Sequence, residues 1–232
     1  MLEKNKSFTN LYSRFNNKEY RLNFNDEYGQ MVSEIKQGRF DLDISDYVGV
    51  YRNVINADLC EEVSSKIKIE KNKSEFVSPM TNLLRVGKYV NVYGVDSDFK
   101  KDIDDIVRQA SERVKSEYLN NIRPFFYSYG EKLDVCEPHI LDYSENDFFR
   151  LHHDHYAESL NFSRLLTVCV YLNEDYDGGD LDFPSIGKRF SFETGDIIAF
   201  PSNWMFYHGV TPITRGNRYT IVFWIGVQHD QL

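Results

Sequence analysis

The chain has 232 residues, of which 41% are hydrophobic and 27% charged, with a net charge of -9 and a pI near 5.2. These values indicate one large globular domain, or a domain with an arm. The acidic balance argues against broad contact with nucleic-acid phosphates, and three scattered cysteines are too few for a disulfide framework. Because no apolar run suits a signal peptide or a membrane span, we expect a cytoplasmic protein without membrane contact.

The N-terminal part of the chain predicts an extension followed by two helices. Residues 1–45 are rich in asparagine, lysine and aromatic residues with weak periodicity, and are interpreted as an extension of uncertain order. Apolar residues at four-residue spacing predict a helix over 57–68 with Asn56 as its N-cap. A longer apolar stripe predicts a second helix over 98–119, with Ser97 as its cap.

From about residue 135 onwards the pattern changes to short β-branched and aromatic runs separated by glycine-containing turns. Many short strands at close spacing are typical of a sandwich or a jelly roll. The sequence therefore predicts an α+β fold that is mainly β. We expect one domain over residues 46–232, in which a helical support over 46–130 precedes a β-rich core over 131–232.

The densest group of potential metal ligands is the run L-H-H-D-H-Y over residues 151–156. In an extended segment, residues two apart share a face. His152 and Asp154 can therefore serve one metal, and a third ligand has to come from another part of the chain. His153 and His155 point to the opposite face and are the alternative pair.

His208 is the other histidine of the β-rich half that lies in a strand context. Two histidines and one carboxylate on one side of a metal match the facial triad of non-haem Fe(II) oxygenases, which leaves coordination positions open. A zinc hydrolase would use the same three ligands with a metal-bound water. His139 and His229 are interpreted as ordinary polar residues.

Arg218 follows His208 by ten residues, in the run G-N-R-Y-T. A guanidinium offers a fork of donors that matches a carboxylate. Arg218 is therefore suited to hold the far end of a dicarboxylate whose near end binds the metal. In strand register it shares a face with Thr220, Val222 and Trp224. A surface arginine at the start of a strand is the alternative for this residue taken alone.

Taken together, these motifs resemble the Fe(II)- and 2-oxoglutarate-dependent oxygenases, and within them the prolyl 4-hydroxylase-like branch. The pieces, in chain order, are H-x-D, Y-L-N, G-G-x-L-x-F-P, G-D, F-P, H-G-V-x-P and G-x-R-Y. They occupy His152–Asp154, Tyr171–Asn173, Gly178–Pro184, Gly195–Asp196, Phe200–Pro201, His208–Pro212 and Gly216–Tyr219. The resemblance covers about residues 135–227, and the combination is much more specific than any single piece.

The resemblance implies a double-stranded β-helix, or jelly roll, with iron at one mouth. It implies His152, Asp154 and His208 as the iron ligands. It implies Arg218 as the partner of the C5 carboxylate of 2-oxoglutarate, a position at which many prolyl hydroxylases have lysine. The implied cofactors are Fe(II), 2-oxoglutarate and O2, with ascorbate as a further one.

Three more residues are assigned to the co-substrate through the same resemblance. Tyr143 lies nine residues before His152, where the family often has a tyrosine that hydrogen-bonds the co-substrate. Thr167 and Tyr171 match the family's T-x-x-x-Y strand pattern and share one face of that strand. Plain core packing is the alternative for all three.

The implied reaction hydroxylates an unactivated C–H bond and releases succinate and CO2. Peptidyl proline is the leading substrate, with a free amino acid, another protein side chain or a small metabolite as alternatives. The nucleic-acid-demethylating branch has a second arginine where this chain has Trp224, which argues against a nucleic-acid substrate. Tyr156 and Trp204 are candidates for the mouth of the site. A non-catalytic jelly-roll module is the remaining alternative.

Overall fold

The structure is a computed structural model that describes four segments of the chain. These segments are residues 43–76, 85–121, 133–155 and 162–228. The predicted extension up to residue 42 lies outside the described residues, as do Tyr156 and His229.

The described residues of the first half of the chain contain two α-helices, α1 (Ala57–Ile69) and α2 (Ser97–Asn121). The start of α1 is as predicted, because the side chain of Asn56 accepts a hydrogen bond from the backbone N–H of Asp58 at 2.7 Å. A capping side chain satisfies one of the backbone donors that a helix leaves unpaired at its first turn. The predicted cap of α1 is therefore confirmed.

The predicted cap of α2 is wrong. Ser97 is the first residue inside the helix, and the preceding Asp96 is the capping residue. Its Oδ1 accepts hydrogen bonds from the backbone N–H groups of Asp98 at 3.0 Å and Phe99 at 2.9 Å. Asp96 satisfies two donors at once and places its negative charge at the positive end of the helix dipole.

Fifteen strands are found among the described residues. In chain order they are β1 (Gly49–Tyr51), β2 (Lys73–Glu75), β3 (Arg85–Val86), β4 (Lys88–Val90), β5 (Leu133–Val135), β6 (His139–Tyr143), β7 (Phe148–His152), β8 (Phe162–Tyr171), β9 (Asp177–Gly178), β10 (Leu181–Phe183), β11 (Lys188–Phe190), β12 (Ile197–Pro201), β13 (His208–Val210), β14 (Ile213–Arg215) and β15 (Arg218–Gln228). All of the strand pairs that they form are antiparallel.

The strands form two main sheets. The first has the order β1-β12-β8-β15-β6-β4-β2, and β5 also pairs with β15. The second has the order β11-β10-β13-β7-β3, and β14 pairs separately with β9. One apolar cluster contains side chains from both main sheets, so the two sheets share a common interior. This arrangement is the predicted double-stranded β-helix, and the prediction of a mainly β fold is confirmed.

The central strand β8 shows how the layers are built. Leu166, Val168 and Val170 belong to the core cluster that also contains the apolar stripes of α1 and α2. Cys169 and Tyr171 alternate with them and belong to the cluster between the two sheets. Because successive strand residues face opposite sides, one strand contributes both to the helical layer and to the barrel interior. The helices cover the outer face of the first sheet, and its inner face is free to form a site.

The sequence did not predict the strands that the N-terminal half adds to the sheets. β1, β2 and β4 extend the first sheet and β3 extends the second, although all four precede residue 91. Each has only two or three residues, so none carries the alternation that marks a strand. Neither helix in the described part of the chain has the length and apolar content needed to cross a membrane.

Candidate active site

A candidate metal cluster forms where β7 and β13 lie side by side. His152, the last residue of β7, is the cross-strand partner of His208, the first residue of β13. Asp154 follows two residues after His152, so its carboxylate meets both imidazoles. One ligand atom from each of the three lies within 4.8 Å of the others, and they are the single such group among the described residues. The structure thus brings together the three residues named from the sequence.

Hydrogen bonds orient the two imidazoles so that the same ring nitrogen faces the cluster. His152 Nδ1 lies 2.8 Å from the carbonyl oxygen of Arg150, and His208 Nδ1 lies 3.0 Å from that of Phe206. A carbonyl only accepts, so each Nδ1 carries the hydrogen and each Nε2 keeps its lone pair. These Nε2 atoms lie 3.4 Å and 3.6 Å from the two carboxylate oxygens of Asp154. Such outer partners are typical of histidines that bind metals.

The carboxylate of Asp154 is fixed by the core of the barrel. The Thr167 hydroxyl donates to its Oδ2 at 2.8 Å, and the Ser202 hydroxyl lies 3.0 Å from that of Thr167. The backbone N–H of Asp154 donates to the carbonyl of Ser202 at 3.1 Å. Side chain and backbone are therefore both anchored, which fixes the direction of the carboxylate before any ion binds.

Burial and local contacts set the charge states of this cluster. Burial lowers the pKa of His208 to about 4, so the imidazole is neutral near neutral pH. Burial alone would raise the pKa of Asp154, but His208, His152 and the Thr167 hydroxyl outweigh it and hold that pKa below its usual range. A neutral imidazole and an ionised carboxylate are the forms that bind a metal ion.

The alternative pair of ligands is not assembled. The ring of His153 packs edge-on against Tyr207, with 5.4 Å between the ring centroids. His155 Nδ1 lies 3.3 Å from the carbonyl oxygen of Arg164. Neither imidazole belongs to the cluster. The opposite face of this segment therefore serves packing and hydrogen bonding.

Arg218 is buried in the barrel interior, with 2% of its surface exposed, so the interpretation as a surface arginine is wrong. Its Nη2 donates to the Tyr171 hydroxyl at 3.3 Å, whereas Nε and Nη1 have no partner among the described residues. No described carboxylate forms an ion pair with it. Burial opposes the charge, but the hydroxyls of Tyr171, Tyr176 and Tyr143 keep its pKa above the usual value. A buried cation with unused donors is suited to an anionic ligand.

Tyr143 and Tyr171 flank this arginine. Tyr143 is its cross-strand partner on β6, and the guanidinium lies 5.5 Å from the Tyr143 ring centroid and 5.0 Å from that of Tyr171. Thr167 lies on the same face of β8 as Tyr171 but contacts Asp154. The four-residue separation corresponds to about 13 Å along the strand. One strand face thus joins the metal cluster at one end to the arginine at the other.

Two aromatic residues singled out from the sequence lie in different settings. Trp224 is buried, with the guanidinium of Arg164 3.5 Å from its ring centroid, His139 edge-on against it, and its Nε1 without a partner among the described residues. Trp204 lies in a short 3-10 turn before His208 and is 70% exposed. Trp224 is therefore packed against Arg164 and His139, and Trp204, four residues before His208 in the chain, is exposed at the surface.

Sequence reasoning missed Arg85 and Ser202. Arg85 lies in the two-residue strand β3, where its Nε donates to the Tyr143 hydroxyl at 2.7 Å. Ser202 follows the F-P motif and completes the hydrogen-bond chain to Asp154 through Thr167. No local pattern marks either residue, because each acts on a partner distant in the chain.

These residues fit Fe(II) and a dicarboxylate co-substrate. Two imidazole nitrogens and a carboxylate oxygen on one side form the donor set of a facial triad. The unpaired donors of Arg218 suit a carboxylate at the other end of the interior. The buried hydroxyl of Thr220, on the same strand face, also has no partner among the described residues. The interior therefore has polar atoms at both ends that await a ligand.

Comparison with known proteins gives a consistent result. Residues 138–226 match the family profile described as the 2OG-Fe(II) oxygenase superfamily. A PKHD-type hydroxylase of Hyphomonas neptunium is 29% identical over 130 residues, which are 52% of this chain and 57% of that protein. The chain thus spans little more than half the length of this relative.

Two solved structures share the fold. A prolyl hydroxylase of Trichoplax adhaerens, in complex with a peptide fragment of a hypoxia-inducible factor, gives a TM-score of 0.61 at 18% identity. The match covers 91% of this chain and 94% of that one. A prolyl-4-hydroxylase of Pseudomonas putida gives 0.57 at 19% identity, covering 80% and 97%. Residues 138–226 thus match the profile of the 2OG-Fe(II) oxygenase superfamily, and the two solved structures show the shared fold.

Proposed function

We propose that this protein is an Fe(II)- and 2-oxoglutarate-dependent dioxygenase that hydroxylates an unactivated C–H bond. One observation supports the proposal: a three-ligand cluster and a buried arginine with two unused donor nitrogens lie against the same face of β8. A metal site alone does not need a buried cation at the far end of the interior. A dicarboxylate that chelates the metal needs both the metal ligands and the buried cation.

In this proposal His152, Asp154 and His208 hold Fe(II) on one side and leave the remaining positions open. Arg218 holds the C5 carboxylate of 2-oxoglutarate, with the Tyr143 and Tyr171 hydroxyls beside it. When bound, iron and 2-oxoglutarate supply the oxidising chemistry, in which substrate, 2-oxoglutarate and O2 give hydroxylated substrate, succinate and CO2. The protein contributes fixed ligand geometry and a largely apolar interior.

For the substrate we propose a prolyl residue within a peptide. The similarity to prolyl hydroxylase structures supports this choice, and one of these contains a peptide fragment. The exposed Trp204 near the cluster offers an apolar contact for such a chain. A free amino acid remains the competing substrate class, and a zinc hydrolase with the same ligands would leave Arg218 without a role.

The proposal is tested by measuring succinate release with Fe(II), 2-oxoglutarate, ascorbate and O2, using a set of proline-containing peptides and a set of free amino acids. We expect succinate together with a product heavier by one oxygen atom, formed from a peptide. Arg218→Met should abolish both, whereas Arg189→Met, at an exposed arginine on β11, should leave them unchanged. Oxygen insertion into a free amino acid alone would overturn the peptide assignment, and no succinate with either set together with no binding of 2-oxoglutarate would overturn the proposed activity.

A further inference from the structure

A second arginine, Arg85, is built into the interior beside Tyr143. Its Nε donates to the Tyr143 hydroxyl, with 2.7 Å between the two atoms. The guanidinium carbon lies 3.4 Å from the ring centroid of Phe76 and 4.4 Å from that of Phe149, its cross-strand partner. The two rings restrict the plane of the guanidinium, so the direction of the Nε–H bond is fixed.

The same short segment also fixes the ring of Tyr143. A side chain at Gly87 would place its Cβ 2.5 Å from Cε1 of Tyr143, so the backbone here lies directly against the ring. Tyr143 is fully buried, and burial raises the pKa of its hydroxyl, which therefore keeps its proton near neutral pH. Residues 85–87 thus hold both the ring and the hydroxyl of this tyrosine.

The hydrogen bond from Arg85 determines whether the Tyr143 hydroxyl acts as a donor or an acceptor towards other groups. A phenol has one proton to donate and accepts through its oxygen. Because Arg85 occupies the oxygen as donor, the phenol proton has to point elsewhere, and no described residue accepts it. Arg218 is the cross-strand partner of Tyr143, and its guanidinium lies 5.5 Å from the Tyr143 ring centroid. An anion held by Arg218 would therefore lie beside Tyr143 and could accept this proton.

We propose that Arg85 is a positioning residue for the C5 carboxylate of 2-oxoglutarate, which acts by holding the Tyr143 hydroxyl as a donor to that carboxylate. This inference rests on the proposed function, because it presumes that 2-oxoglutarate binds between the metal cluster and Arg218. It assigns the carboxylate two kinds of donor, the guanidinium of Arg218 and a phenol aligned by a second arginine.

The test is a double-mutant cycle on equilibrium binding. The dissociation constant of 2-oxoglutarate is measured by calorimetry on the Mn(II)-loaded protein for the wild type, Arg85→Met, Tyr143→Phe and the double variant. We expect each single substitution to weaken binding about tenfold, which is typical for a lost hydrogen bond to a charged group. If Arg85 acts through Tyr143, the double variant also binds 2-oxoglutarate about tenfold more weakly than the wild type, as each single variant does. Weakening of about a hundredfold in the double variant would overturn the inference.

Two further measurements separate positioning from a general structural role. The analogue 2-oxopentanoate has the same carbon chain without the C5 carboxylate, and Arg85→Met should bind it as the wild type does. A tenfold loss with this analogue would contradict the inference. Thermal unfolding checks that each variant is folded, and if Arg85→Met is not, Arg85→Lys is used in the same cycle. Absence of 2-oxoglutarate binding by the wild type would overturn the proposed function, whereas binding without coupling would overturn the inference alone.

Discussion

Thr167 donates a hydrogen bond to Asp154 inside the barrel, with 2.8 Å between its Oγ1 and Oδ2 of the carboxylate. Thr167 lies in the middle of β8, the strand that also contributes Tyr171 to the arginine end of the site. A hydrogen bond from the core of the fold therefore helps to fix the direction of the carboxylate ligand.

This contact predicts that Thr167→Val weakens metal binding. The valine keeps the shape but removes a hydrogen bond to a charged acceptor, and substitution of such outer partners typically costs 10- to 100-fold in metal affinity. Titration with Co(II) measures the effect. Thr220→Val is the matched control, because the buried Thr220 hydroxyl has no partner among the described residues. Equal Co(II) affinity of Thr167→Val and the wild type would contradict this role.

The choice between the two faces of the H-H-D-H segment gives a second prediction. Only His152 joins Asp154 and His208, whereas His153 packs against Tyr207. We expect His152→Ala to lose at least a hundredfold in Co(II) affinity and His153→Ala to lose less than threefold, as estimates for a ligand and a packing residue. The reverse order would place the metal on the opposite face of the segment.

Arg218 predicts opposite effects on stability and on co-substrate binding. Replacing a buried charged group by an apolar residue of similar volume is often neutral or stabilising. Arg218→Met should therefore raise the free energy of unfolding of the metal-free protein by about 1 kcal/mol, while 2-oxoglutarate binding weakens at least a hundredfold. Urea unfolding and calorimetry measure the two quantities. A variant that is destabilised but still binds 2-oxoglutarate would show that Arg218 has a structural role instead.

The buried His208 predicts a pH dependence of the metal-free protein. Its pKa of about 4 lies below the usual 6.5, so the unfolded state binds the proton more tightly. The contribution of His208 to the free energy of unfolding is fully present above pH ~6.5 and is lost as the pH falls towards 4. We expect a loss of about 2 kcal/mol between pH 7 and pH 5. The Asp154 carboxylate stays ionised between pH 7 and pH 5 and adds nothing to this change in the free energy of unfolding. Urea unfolding with a chelator should show a smaller loss for His208→Gln, and an equal loss would contradict the prediction.

The parts of the molecule that sequence reasoning predicted are those with a strong local pattern. The stripe of α1 and its cap Asn56 follow from helical spacing, and the alternation along β8 places Thr167 and Tyr171 on one face. The error at the cap of α2 arose because Asp96 and Ser97 are both good capping residues in adjacent positions. The spacing does not decide between them.

Contacts between segments that are distant in the chain could not be predicted from local sequence patterns. Arg85 lies in a two-residue strand whose partner, Phe149, is far away in the chain, so no periodicity marks its position. The burial of Arg218 depends on the tyrosines of β6 and β8 packing around it. Strand pairing of this kind is set by the global fold, and it determines which polar groups are left without partners inside.

The most direct test of the proposed activity is an anaerobic titration of the wild-type protein with Fe(II) and 2-oxoglutarate, followed by visible absorption. We expect a weak charge-transfer band that needs both Fe(II) and 2-oxoglutarate, is absent in His208→Ala, and persists in the control Arg189→Met. Absence of the band in the wild type, or an unchanged band in His208→Ala, would contradict it.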